Sequence, residues 1–406
     1  MTTLGGVGGV GGVGGVGGVG GVGGVGSAGD ILGDFEAQTN ALIGHRDGIC
    51  GPWNKNVFEI GSEENDGIDH LDDNGQLWRW DDWVRANVFD FELISNLAFT
   101  LSPDRKGVSL WHRAATMDAN GTEPSFDGPL PVVEMHRPGT KVFEDQLIFM
   151  DRYSDLRGER ANETLLQMGP QTQFWGTILF LSPQRTPKTL ELLSTVVRFA
   201  IAVEMRFKHA LACSRAIDYS PQVQPMIPTP GHGSLPSGHS TQAYIVAGVM
   251  AKFFDDLRKE SLSGGAVQSN MLRTQLYAQA RRVAVNRTIA GVHFPVDTAA
   301  GHLLGTTLAE YFVHRCDIGT VRKTYVPRVF RGENFDGTKD FSDQEPLEWQ
   351  GTFGPPPANS PKAVPNYQHI EIDEPRQTRD GSRMLAWLWK QATNEWNGNS
   401  LKANRA

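Results

Sequence analysis

A few residues in three short stretches have the side chains and the spacing to bind an anion. Lys208 and Arg215 lie seven positions apart, nearly two helical turns, so on a continuous helix both cations share one face. The stretch "PSGH" (236–239) places a turn ahead of the apolar run "AYIVAGVMAKFF". His239 therefore falls in or beside the first helical turn, among free N–H groups that favour negative charge. Arg287, His293 and Asp297 follow at six- and four-residue spacing. A helix opening at Pro295 puts Asp297 in its first turn, within reach of His293, whose ring and tautomer it then holds. Taken singly, each has a structural reading: Ser237 as a helix cap, Lys208 and Arg215 as a solvated basic stripe, His293 as a structural histidine.

These residues need helices to bring them together, and the flanking sequence supplies the pattern. One helix opens at "TPKTLELL", with Thr186 as N-cap and Pro187 at its first position, and runs through "STVVRFAIAVEMRFKHALACSRA". A Pro- and Gly-rich loop (220–238) leads to the helix after "PSGH", which extends to about 259. A Gly/Ser break (261–265), a helix near 270–285, the segment "NRTIAGVHFPVD" and a helix over "TAAGHLLGTTLAEYFVHR" complete the set. No strand alternation competes over 186–316, so the expected fold class is all-α, a helical bundle with a loop-rich N-terminal half. His302, five residues past Asp297, points away from the pocket, and Gly301 and Gly305 allow close helix packing. Trp78, Trp80 and Trp83 read as core or surface anchors.

In order and spacing, K-x6-R, P-S-G-H and R-x5-H-x3-D resemble the three-part signature of the superfamily that joins type-2 phosphatidic acid phosphatases, bacterial acid phosphatases and vanadium-dependent haloperoxidases. The resemblance spans Lys208 to Asp297, roughly a quarter of the chain. Two positions depart from the pattern: Ala216 stands where proline is usual, and Asn286 where serine is usual. The resemblance implies a helical bundle of the haloperoxidase and acid phosphatase type, with vanadate or phosphate in one pocket. Arg215 and Arg287 would clamp equatorial oxygens and Lys208 would add a point charge. Ser237 and the Gly238 N–H would supply further donors. His293 would bond the central phosphorus or vanadium, which makes it the one metal-ligating candidate. His239, opposite, would handle protons, and Asp297 would orient His293.

Two reactions fit such a pocket. In the haloperoxidase branch, hydrogen peroxide oxidises a halide to hypohalous acid on bound vanadate, with Lys208 polarising peroxide and a small organic acceptor taking the halogen. In the phosphatase branch, a phosphomonoester is hydrolysed through a phosphohistidine. Length and the long N-terminal half resemble the first branch. His232, seven residues before His239, stands where algal bromoperoxidases resemble this chain and fungal chloroperoxidases carry phenylalanine, so bromide or iodide is the expected halide. The structural alternative for His232 is a solvated loop histidine. A noncatalytic phosphate-binding module is the third reading.

Composition sets the outer bounds. A net charge of −8 over 406 residues argues against nucleic acid as a partner. Cys50, Cys213 and Cys316 form neither a disulfide framework nor a thiolate cluster. No secretory signal and no run long enough for a membrane span is visible, so the expectation is a cytoplasmic protein, with homo-oligomerisation left open. The acidic stretch "EENDGIDHLDDNG" lacks the spacing of a calcium loop, since His70 stands where an acid is needed. Residues 5–25 repeat Gly-Gly-Val seven times and read as a disordered tail. The chain is divided into this tail (1–30), a catalytic domain (31–328) and a C-terminal extension (329–406) with one helix at "SRMLAWLWKQATNEW".

Overall fold

The computed structural model describes residues 74–113, 115–117, 124–126, 129–260, 266–318, 325–343, 363–364, 367–372 and 381–396. The Gly-Gly-Val repeat and Cys50 lie outside the described residues, whereas Cys213 and Cys316 are buried. Eleven α-helices run through the described residues: α1 (Asp82–Ile94), α2 (Thr140–Asp145), α3 (Leu147–Ser154), α4 (Arg157–Leu166), α5 (Thr172–Leu179), α6 (Pro187–Leu211), α7 (Ala216–Tyr219), α8 (Gly238–Glu260), α9 (Ala266–Ile289), α10 (Pro295–Arg315) and α11 (Arg383–Trp396).

The all-α expectation is corrected by two sheets. Strands β1 (Leu97–Leu101), β2 (Gly107–His112), β3 (Ala115–Met117), β4 (Pro124–Phe126), β5 (Leu130–His136), β6 (Arg328–Arg331), β7 (Ala363–Val364) and β8 (Tyr367–Ile372) form a six-stranded sheet in the order β1-β2-β5-β6-β8-β7 and a separate β3-β4 pair. The signal was present in "GVSLWH", where Val108, Leu110 and His112 turn inward at every second position. β5 and β6 pair in parallel across about 190 intervening residues, a long-range contact that no local pattern announces. The sheet backs onto α6 and α10, and the His112 ring Nδ1 meets the Tyr311 hydroxyl at 2.7 Å across that boundary.

Within 186–316 the helical reading holds, with one consequential difference. α6 begins at Pro187 as expected, but the Thr186 hydroxyl bonds back to Ser182, and the N–H groups of Lys188 and Thr189 are taken by the Glu395 carboxylate of α11. α6 ends at Leu211, because Ala212 adopts a left-handed conformation (φ 48°) and donates its N–H to the Lys208 carbonyl. Lys208 and Arg215 therefore do not share one helix face. Arg215 is in extended backbone just ahead of α7, turned back toward the bundle.

α8 is the central helix, packed against α6, α9 and α10. In α10 every residue except Glu310 is buried, so its sequence shows no apolar stripe for a single face. Glycines set how closely these two helices approach. A Cβ on Gly305 would lie 2.5 Å from the Thr241 carbonyl oxygen and 2.9 Å from Tyr244 Cβ. The rings of His302 and Tyr244 stack beside this contact at 4.0 Å between centroids, so His302 serves the helix packing. We expect Gly305→Ala to destabilise the protein by about 1–3 kcal/mol in chemical denaturation, because overpacking this contact outweighs the ~1 kcal/mol by which helix propensity favours alanine.

Candidate active site

The ends of four helices meet in one buried place. Lys208 comes from the last turn of α6, His239 from the first turn of α8, Arg287 from the last turn of α9, and His293 from the loop ahead of α10. Lys208, Arg215 and Arg287 are 1%, 4% and 1% exposed. Three cations so far from water make a pocket for negative charge, provided enough acceptors hold them in place.

Asp297 anchors the arrangement. Its carboxylate accepts from the Phe294 N–H (2.9 Å), faces His293 Nδ1 (3.1 Å) and accepts from the Ser234 hydroxyl (3.3 Å). Its carbonyl accepts the Ser237 N–H at 2.8 Å, which ties the start of α8 to the start of α10. Burial pushes the Asp297 carboxyl up, opposed by the Phe294 N–H and by Arg215 and Lys208. A carboxylate at Nδ1 fixes that nitrogen as the N–H, which leaves the Nε2 lone pair of His293 free to accept. That lone pair faces Arg215 Nη1 at 3.0 Å.

Arg215 is otherwise spent on backbone. Nε donates to the His232 carbonyl (3.1 Å), Nη1 to the Val292 carbonyl (2.8 Å) and Nη2 to the Gly233 carbonyl (3.2 Å). Lys208 likewise donates to the Gly233 and Ser234 carbonyls at 3.2 and 3.0 Å. Both cations hold the 232–234 loop. Arg287 differs. Its Nη2 donates to the Thr164 carbonyl and to Gln167 Oε1, both at 3.0 Å, while Nε and Nη1 have no partner among the described residues. Two buried guanidinium N–H groups without acceptors are costly unless an oxyanion takes them.

A small cavity adjoins Arg287, and His239, His293, His232, Gly238 and Glu204 also contribute to its lining. Ser237 is fully buried beneath it. His239 Nε2 meets the Gln167 carbonyl at 2.8 Å, so Nε2 carries the proton and Nδ1 is the acceptor. Burial, then Arg287, pushes His239 down to about 3. Burial, then Arg215 and Lys208, pushes His293 well below its ordinary value. His232 is drawn in as well: its Nδ1 stands 3.1 Å from Arg215 Nη2, which can only donate, and its Nε2 has no partner among the described residues. Burial and Lys208 push it down to about 4.

Two participants escaped the sequence reading. Gln167 closes α4 and links the site, its Oε1 accepting from Arg287 and Asn286 and its carbonyl facing His239. Nothing in "NETLLQMG" distinguishes it from a surface glutamine. Glu204 did leave a signal, an acid on an apolar helix one turn before Lys208. It is 1% exposed, with Oε1 accepting from Gln242 Nε2 at 2.9 Å and Oε2 without a partner among the described residues. Burial raises the Glu204 carboxyl and lowers the Lys208 ammonium, while their mutual attraction opposes both shifts. Gly238 lacks a Cβ because one would lie 2.7 Å from Glu204 Oε1, so this carboxyl lies directly against the start of α8.

Residues 191–317 match the family described as the PAP2 superfamily. Among solved structures, the chain is similar to that titled the first transmembrane PAP2 type phosphatidylglycerolphosphate phosphatase from Bacillus subtilis. That match has 20% identity and a TM-score of 0.33, over 42% of this chain and 84% of the other. No curated protein matches the chain. Among the described residues, no helix is long and apolar enough to cross a membrane, and no group of three or more His, Cys, Asp or Glu could hold a metal ion.

With cations around them, His239 and His293 should remain neutral well below the usual histidine range. In anion-free protein, the ring proton resonances of both should stay flat between pH 8 and pH 5 in an NMR titration. Inorganic phosphate should bring the His239 transition into that window, because a bound anion offsets Arg287. A His239 midpoint near 6.5 without phosphate would contradict the electrostatics.

Proposed function

We propose that the pocket binds a tetrahedral oxyanion and hydrolyses phosphomonoesters through a phosphohistidine on His293. One observation carries this reading: Arg287, with two N–H groups partnerless among the described residues, and His293, whose Nδ1 is held by Asp297, line the same cavity. The superfamily match supports phosphatase-type chemistry.

The phosphoryl oxygens take the Arg287 Nε and Nη1 protons, and Arg215 Nη1 turns from His293 to a third oxygen. The released Nε2 lone pair attacks phosphorus, forming a P–N bond as the P–O bond to the alcohol breaks. Bound phosphate raises the basicity of His239, which then carries a proton on Nδ1 and delivers it to the departing alkoxide. In the second half, Nδ1 takes a proton from water, the hydroxide attacks phosphorus, and the P–N bond breaks to return neutral His293 and inorganic phosphate. Asp297 steadies the positive charge that His293 carries in the intermediate.

A second reading is favoured by one observation, the place of His232 in the cavity wall with Nε2 unpartnered. Vanadate has the shape and charge of phosphate, and the partnerless donors of Arg287 and His232 fit it equally. Bound there, with His293 Nε2 as its protein ligand, vanadate would supply the oxidation of bromide or iodide by hydrogen peroxide. Arg215, Arg287 and Lys208 would hold its charge and His239 would move the proton.

Purified protein should hydrolyse aryl phosphates, with vanadate as inhibitor. His293→Ala should lose at least ~10³-fold in kcat with the fold intact, and His239→Ala ~10²- to 10³-fold. Full turnover in His293→Ala would remove it as nucleophile. For the second reading, bromination of a small diketone should appear only with vanadate, and His232→Phe should shift the bromide-to-chloride ratio. Background phosphate hydrolysis beside vanadate-dependent bromination would select that reading. Oxyanion binding without either turnover would leave a noncatalytic module.

A further inference from the structure

A second cavity adjoins His239. His239 lines both cavities, and next to it the wall is Gln242, which faces the second cavity and donates to Glu204 of the first. We propose that this second cavity receives the organic part of the substrate and selects apolar alcohols of roughly six carbons or one to two rings as the leaving group. The inference rests on the oxyanion reading and adds the substrate class to it.

Three observations lead there. The walls are mainly apolar side chains, with Met168, Trp175, Leu190, Leu193, Val197 and Val246 around the space. Trp175 is only 2% exposed, so its ring is held as a firm wall. The charged group in that lining, Arg198, is already consumed. Its Nε faces both Asp90 oxygens at 3.0 and 2.9 Å, Nη1 donates to the Ser194 hydroxyl and Nη2 to the Thr195 hydroxyl. The cavity thus offers no unpaired charge to a second phosphate, a carboxylate or an ammonium group. Its remaining polar members, Gln171, Thr172 and Ser194, suit a hydroxyl at most.

The chemistry fixes the direction. In an in-line displacement the departing oxygen lies opposite the attacking His293, on the side from which His239 delivers its proton. The carbon bonded to that oxygen must therefore pass His239, and the space beyond His239 is this cavity. A sugar or glycerol skeleton entering it would strip water from hydroxyls that find few partners, whereas each buried methylene gains roughly fourfold in affinity.

Alkylphosphonates, which cannot be hydrolysed, separate this inference from the reading beneath it. Calorimetry on the full chain should show affinity rising about 200-fold from ethylphosphonate to hexylphosphonate. Val197→Asp, at the half-buried rim, should reduce that rise to less than threefold. A flat series in the wild-type protein, with ethylphosphonate and inorganic phosphate both bound, would overturn the apolar site and leave the oxyanion pocket standing. A full rise retained in Val197→Asp would place the alkyl chain elsewhere and overturn it too. Failure of every phosphonate and of inorganic phosphate to bind would overturn the oxyanion reading, and this inference with it.

Discussion

Burying three cations around one small cavity is the constraint from which the rest of the structure follows. Lys208, Arg215 and Arg287 are each at most 4% exposed, and desolvating a charge costs several kcal/mol unless it is paired and hydrogen-bonded. The fold meets this cost with backbone carbonyls of the 232–234 loop, Val292 and Thr164, held in place by helix ends that converge on the cavity. The cationic excess is left unbalanced at one point, the Nε and Nη1 of Arg287, where an anionic ligand completes it.

The two buried carboxyls divide the work differently. Asp297 stands behind His293 and joins the starts of α8 and α10, so it sets both the tautomer of the nucleophile candidate and the distance between the helices that carry the two histidines. Glu204 faces the cavity itself. An ionised carboxylate there would repel the anion that Arg287 invites, so Glu204 serves an anion best in its protonated form, and burial moves it toward that form. The Gln242 amide that bonds it also lines the apolar cavity, which links the protonated state of one pocket to the wall of the other.

Much of the helical segment was legible because its signals are local. Pro187 and Pro295 open helices where proline costs nothing, and the turn before Gly238 puts His239 in a first turn. The end of α6 was not legible: a left-handed Ala212 replaces the glycine that usually marks such a stop, and it separates Lys208 from Arg215. The sheet was missed for another reason. Its inward alternation in β2 and β5 is short and embedded in aromatic, Gly-rich sequence, and the β5–β6 pairing closes over the whole bundle.

The sequence alone marked out the candidate residues, because the order and spacing of K-x6-R, P-S-G-H and R-x5-H-x3-D resemble the superfamily's signature. It also determined that Asp297 would meet His293, since four residues across a helix start leave little choice. Only the tertiary structure decided that Arg287 keeps two donors without partners among the described residues while Arg215 and Lys208 are bound to carbonyls. It alone brought Glu204 and His232 to the cavity, set Gln167 against Arg287 and His239, and placed an apolar chamber beside His239. Those outcomes depend on helices far apart in the chain meeting within a few ångströms, where the loss of water turns ordinary side chains into strong partners.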